Sequence, residues 1–301
     1  AAVLGDGGFD IGARAKQIRD DLLAVAAATE ADMLAIQLDD RALFLERWRR
    51  LALTTLSDRA VADHPDRRRF RELVEGSWTG RASTDSQAFR LVRAFRLEVF
   101  ELVYGSLLAP LAQADDRFEI TRLVQWEDSL WRLLTEGPDH LRPPEHGDWN
   151  EVLLAGIDRT VEHFTTEIGP DPARWTWGQR NTVRLRHPLS LAVPALSGWL
   201  DMAPVELPGD GRMPRVQSPT FGASERFAVS PGREAEGYLH MPAGQSGHPL
   251  SPHYRAGHDA WVEGRPTPFL PGATVSTLTL VPPGGDADAG VAEAEGAPSI
   301  R

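Results

Sequence analysis

At 301 residues and 33.1 kDa, with 42% hydrophobic and 25% charged positions, the chain can bury a sizeable core as one large domain or two ordinary ones. A formal charge of -11 and a pI near 5.3 remove the basic surface that a nucleic acid or an anionic membrane would need. Cysteine is absent, which excludes a disulfide framework, a thiolate nucleophile and cysteine-ligated zinc.

The sequence opens Ala1-Ala2-Val3, with neither Met nor a leader-like apolar run, and reads as a cut within a longer product. From about residue 10 to 168, apolar residues recur at helical spacing, as in Met33, Ile36, Phe44, Trp48 and Leu51. Five or six helices are predicted there. Thr29 and Asp32 have the form of a capping box, and Pro65-Asp66 and residues 83–86 punctuate later helices. The apolar run over 102–112 is broken by Gly105, Ser106 and Pro110 and is too short for a membrane span, which takes ~20 apolar residues. GPDHLRPPEHGD over 137–148 predicts an exposed loop before a further helix carrying Val152, Ile157 and Phe164.

After Gly169, Pro and Gly become frequent and apolar runs shorten to strand length at 182–185, 227–229, 237–241 and 275–280. A short helix fits 253–262, and the last residues offer almost nothing to pack. The predicted fold class is α+β, organised as a helical part over 1–168, a β-rich part over 169–282 and a disordered tail over 283–301.

Several constellations invite chemical readings. Gly244-Gln245-Ser246-Gly247 approaches a nucleophile elbow, but His248 stands where that pattern needs glycine and Pro249 follows. The competing reading is a turn in which Gly244 and Gly247 take positive φ. His240, His248, His253 and His258 cluster in sequence, yet His253 and His258 are five apart, whereas ligands on one helix face sit three or four apart. No metal site is predicted. The carboxylate pairs Asp39-Asp40 and Asp115-Asp116 point to different faces, which favours solvation or capping over acid/base work. Of nine tryptophans, Trp175 and Trp177 would share one side of an extended segment, suited to core packing or to a pocket wall.

FGASER over 221–226, MPAGQSGHPLSPHY over 241–254 and WVEG over 261–264 resemble the C-terminal signature of penicillin acylase β chains. Upstream, Trp175-Thr176-Trp177-Gly178 leading to His187-Pro188-Leu189 is similar to the family's W-x-W-G…H-P-L segment, and Asp32, Gln37 and Asp39 to its helical D-x-x-x-x-Q-x-D stretch. Blocks that keep their order are more specific than any one motif. The resemblance implies an N-terminal-nucleophile hydrolase with an αββα core, in which an autoprocessed β-chain serine attacks a linear amide and its own α-amino group serves as base. An unperturbed α-amino pKa of ~7.7–8.0 suits that role.

The resemblance also implies that the nucleophile, the oxyanion-hole groups and the catalytic asparagine lie upstream of this sequence, so the chain by itself would be silent. Its partners would be the missing N-terminal β-chain region, a separate α chain and a small amide substrate, N-acyl β-lactam or N-acyl homoserine lactone in type. Arg14, in a segment similar to the family's R-A-x-R-I, would orient the catalytic asparagine, although Gln17 replaces the second arginine. Trp177, Gly178, His187, Gly244, Gln245, Ser246 and Gly247 would be structural parts of the signature. No organic cofactor is implied. A calcium ion is implied for the complete enzyme, with no ligand placed on Asp6 or Asp10, as is export to the periplasm or beyond the cell. The alternatives are a non-catalytic scaffold that keeps this fold and a serine hydrolase that uses Ser246.

Overall fold

The computed structural model describes residues 11–120 and 125–280. In chain order its helices are α1 (Ala13–Ala24), α2 (Glu30–Gln37), α3 (Glu46–Thr55), α4 (Asp58–Val61), α5 (Pro65–Ser77), α6 (Gln87–Ala114), α7 (Glu127–Glu136) and α8 (Trp149–Glu167). These exceed the five or six expected, because the segment after α2 divides into short helices at Leu56-Ser57 and His64-Pro65. The capping box at Thr29 forms as predicted, with Asp32 N donating to Thr29 Oγ1 at 3.2 Å and Thr29 N donating to Asp32 Oδ2 at 2.9 Å. Asp148 caps α8 in the same way, accepting from Glu151 N at 2.8 Å, and the preceding segment is a loop with one 3₁₀ turn over Asp139–Leu141.

The 28-residue α6 is the central pillar, entered at Ser86, whose Oγ accepts from Phe89 N at 3.1 Å. Its buried Phe89, Val92, Phe95, Val99 and Val103 meet α3, α5 and α8. Trp48, Phe70, Ile157 and Val161 complete this interior, each worth ~1.5–3 kcal/mol when fully buried. Gly156 of α8 lets the two long helices close up: a Cβ there would sit 2.7 Å from Val99 Cγ2. Asp39 and Asp40 are not solvated, although Asp39 does cap a turn, its Oδ1 accepting from Arg41 N at 3.0 Å. Both are buried, each in an ion pair, with Arg41 and Arg81 respectively. Asp115 is exposed and accepts from Arg117.

Beyond Gly169 the chain is mostly loop, with short helices α9 (Trp177–Arg180), α10 (Pro188–Ala192), α11 (Ser197–Leu200) and α12 (His258–Glu263). Two three-residue antiparallel strands, β1 (Arg226–Ala228) and β2 (Tyr238–His240), pair Phe227 with Leu239. The fold is α+β, but regular strand is far scarcer than the sequence suggested. Thr182 contributes an isolated bridge to Glu206. Residues 275–280 form no strand at all: Val275, Leu278 and Leu280 are exposed, and no strand among the described residues pairs with them. An αββα core is not seen among the described residues. The tail predicted over 283–301 lies outside the described residues.

The loop half shares the helical interior. Trp175 and Trp177 are buried in the same cluster as Trp48 and Phe95, and a smaller core gathers Val183, Leu207, Trp261 and Val262.

Candidate functional site

Arg14 lies in the first turn of α1, half-buried, and its Nη1 donates to Gly211 O at 3.5 Å. One turn on, the buried Gln17 donates to Asp39 Oδ2 and to Arg41 O, the latter at 3.2 Å. Asp39 also accepts from Arg41 Nη2 at 2.7 Å and from its Nε at 2.9 Å, while Asp21 takes a further bond from the Arg41 fork. Burial pushes the Asp39 carboxyl up, but the bonds from Arg41 and Gln17 outweigh it and hold the group down at about 2. Its bonds to Asp39 first and to Asp21 second raise the Arg41 guanidinium. Gln17, the departure from the family's second arginine, therefore works as an amide donor to a buried carboxylate.

This network borders a cavity of about 370 Å³ lined by Arg41, Phe44, Arg93, Arg96, Trp126 and the 210–213 loop that Arg14 holds. Arg93 Nε donates to Asp210 Oδ2 at 2.9 Å. Arg96 is buried, its guanidinium 4.2 Å from the Trp126 ring and 5.0 Å from Phe44. Glu127 locks that wall: Oε2 accepts from Arg96 Nε at 2.8 Å, and Oε1 accepts from Trp48 Nε1 at 2.7 Å and Arg47 Nη2 at 2.8 Å. The lining carries cations, aromatic faces and one carboxylate, Asp210, which Arg93 holds in an ion pair, but no Ser, Thr, Cys, Lys, Tyr or His. The excess of guanidinium groups suits it to bind and orient a polar or anionic group.

The signature residues are placed elsewhere. Trp177 docks the loop half onto the start of α6, its Nε1 donating to Gly209 O at 2.9 Å and its ring meeting Phe89 edge-on at 4.8 Å. Gly178 N donates to Thr84 O at 2.7 Å. His187 caps α10, Nδ1 accepting from Leu189 N at 3.1 Å. Gln245 lines an open groove with Met241 and Tyr254. Ser246 Oγ accepts from His248 N at 3.1 Å as a turn cap, and no described histidine ring bonds to it. The next helix begins only at His258, so no elbow forms. Nor do Gly244 and Gly247 have positive φ; Gly244 is required by proximity, since a Cβ there would lie 1.9 Å from His253 O and 2.6 Å from Tyr254 O.

His240 and His258 are buried loop clamps, bonding Arg265 O and Pro242 O at 2.6 Å each. Among the described residues no three His, Asp or Glu come together as a cation site. Sequence reasoning missed Asn181, whose Nδ2 donates to Leu207 O, Gly209 O and Gln217 O at 2.8, 3.3 and 3.2 Å. It also missed the arginine stripe Arg90, Arg93 and Arg96, whose three-residue spacing inside an apolar helix was a visible signal.

A family model described as penicillin amidase matches residues 2–273. The chain belongs to that family. Among curated relatives, penicillin acylase 2 proenzyme of Pseudomonas sp. (strain SE83) is 26% identical over 207 residues, covering 64% of this chain and 25% of the relative. Acyl-homoserine lactone acylase QuiP of Pseudomonas aeruginosa is 28% identical over 150 residues, 44% of this chain and 18% of the relative. The same-named protein of Pseudomonas putida is 28% identical over 135 residues, 42% and 16% respectively. The chain thus spans a quarter or less of the length of the relatives it matches. No described helix is long and apolar enough to cross a membrane.

Proposed function

We propose that this chain is the C-terminal portion of an amidohydrolase that cleaves a linear amide, of the N-acyl β-lactam or N-acyl homoserine lactone type, with an N-terminal serine nucleophile upstream. The observation that carries this reading is the family match across residues 2–273. The chain's own contribution is a helical scaffold that holds Arg14 and a cation-lined wall beside the chemistry; attack belongs to the upstream serine and its α-amino group. Arg14 is the positioning residue, presenting a planar donor fork to an amide oxygen. The complete enzyme would be an autoprocessed heterodimer exported from the cytoplasm. The described residues assemble no ligand set for calcium, and no step is assigned to that ion.

The test is to purify the full-length protein, sequence the N-termini of its subunits and assay amide hydrolysis. A larger subunit that begins with Ser and contains this sequence supports the reading. An active single chain that begins at Ala1 refutes it, and an inactive one favours the scaffold alternative. Arg14→Ala should lower kcat by about 10²-fold, the usual cost of misplacing a reacting group, with the fold intact; unchanged turnover removes Arg14 from the mechanism. Ser246→Ala should leave activity within a few-fold, whereas a loss beyond about 100-fold in a folded variant would restore the Ser246 mechanism.

A further inference from the structure

A second cavity, of about 190 Å³, adjoins the first through Arg93 and Leu97, which line both. At its floor lies Arg90, 9% exposed. Arg90 Nη1 donates to Thr176 O at 2.9 Å and to Gln179 Oε1 at 2.6 Å, and neither acceptor is charged. Among the described residues no acceptor bonds its Nε or Nη2, so donors remain for a ligand. Arg180 stands at the exposed rim, and no described carboxylate lies within ion-pair distance of either arginine. The lining carries three guanidinium groups against one carboxylate, Glu98, with Asp210 holding Arg93; the exposed His163 completes the polar rim.

Aromatic faces lie against all three cations, and of the three only Arg93 also has a described ion-pair partner, Asp210. Arg93 and Arg180 lie 5.2 and 5.4 Å from the Trp177 ring, and Arg90 lies 5.0 Å from Phe164. A guanidinium held by its face keeps its N–H edge free for a bidentate acceptor. Burying Arg90 without an anion is unfavourable, and the neighbouring Arg180 adds repulsion. Burial first, and Arg180 second, push the Arg90 guanidinium down to about 10.

We infer that this cavity is a binding site for a small oxyanion, a carboxylate or phosphate-type group, gripped between Arg90 at the floor and Arg180 at the rim. An oxyanion there supplies the missing acceptors and offsets the cationic excess at once. The inference rests on the cavity's own residues and not on the amide reaction.

The experiment is calorimetric titration of the full-length protein with sodium phosphate, sodium sulfate and sodium acetate at fixed ionic strength, with chloride as the control. At least one oxyanion should bind saturably, and Arg180→Gln, a rim substitution outside the core, should weaken it at least tenfold. Arg50→Gln, at a 73% exposed side chain on α3, should leave affinity unchanged. Saturation by phosphate or sulfate but not acetate identifies an inorganic-type dianion; saturation by acetate alone identifies a small organic acid; both patterns uphold the site. No saturable binding, or wild-type affinity in a folded Arg180→Gln protein, overturns it.

Discussion

Replacing Glu127 by Leu should be among the most damaging single changes in the helical part. Its carboxylate is 1% exposed and is shared by Arg96, Arg47 and the Trp48 indole N–H. Arg47, with a side chain one-third exposed, can turn to water; Arg96, at 7%, cannot. Stranding a buried cation costs roughly 3–5 kcal/mol, and the orphaned Trp48 N–H adds about 1 kcal/mol. For a unit of this size each kcal/mol lowers Tm by about 2–4 °C, so a fall on the order of 10 °C is expected. Urea denaturation of the full-length protein, followed by tryptophan fluorescence, reads the loss. Adding Arg96→Met to Glu127→Leu should recover at least about 2 kcal/mol, because an apolar pair of similar volume replaces a buried ion pair at little cost. A single-variant loss below about 1 kcal/mol, or strictly additive losses in the double variant, would refute the reasoning.

Gly244→Ala forces a methyl group against the carbonyls of His253 and Tyr254, which are backbone and cannot rotate aside. A loss of about 1–3 kcal/mol is expected, with protease nicking near 241–254 as the readout; a neutral substitution would mean that the loop relaxes freely. Asp39 supplies a pH prediction. Its folded value of about 2 lies below an unfolded carboxylate's ~3.9, so its contribution is complete above roughly pH 4 and fades as pH falls toward 2. Asp39→Asn should therefore cost stability at pH 7 and flatten the acid limb of the stability curve between those values. An unchanged acid limb would show that the Asp39 carboxylate is not the group responsible.

The helical part was legible because its order is local. Thr29 and Asp32 cap one helix from three residues apart, and the apolar faces of α3, α5 and α8 repeat at the helical period. The buried charges were not legible, because their meaning depends on distant partners: Arg96 finds Glu127 31 residues on, and Arg93 finds Asp210 117 residues on. Asp40 looked solvated for the same reason, its partner Arg81 lying 41 residues on, and Asp39 is buried by the approach of Gln17 from 22 residues back as well as by its neighbour Arg41. An apolar run of strand length over 275–280 suggested a strand, yet such a run forms one only where a neighbouring strand accepts it. At Gly244 the residue type was informative and the reason misread: the constraint is the approach of another backbone segment, not a left-handed φ. Of the site residues, Arg14 donates to Gly211 O in the loop beside the cation-lined cavity, while Trp177 and His187 bond backbone groups that join the loop half together.

One fastening has a broader consequence. Asn181 joins three carbonyls spread over residues 207–217, and the Thr182–Glu206 bridge closes the excursion between them. The excursion from 183 to 205 leaves and returns through this neck, yet it is tied beyond it as well: Arg184 N donates to Pro219 O, Tyr254 Oη donates to Leu200 O, and Arg255 Nη2 donates to Gly198 O and Asp201 O. A residue added between 198 and 201 would therefore pull on the 254–255 segment, just as one added between 207 and 217 would pull a carbonyl off the Asn181 amide. Both stretches of the loop half are thus fixed to the residue, one by Asn181 and the other by Tyr254 and Arg255.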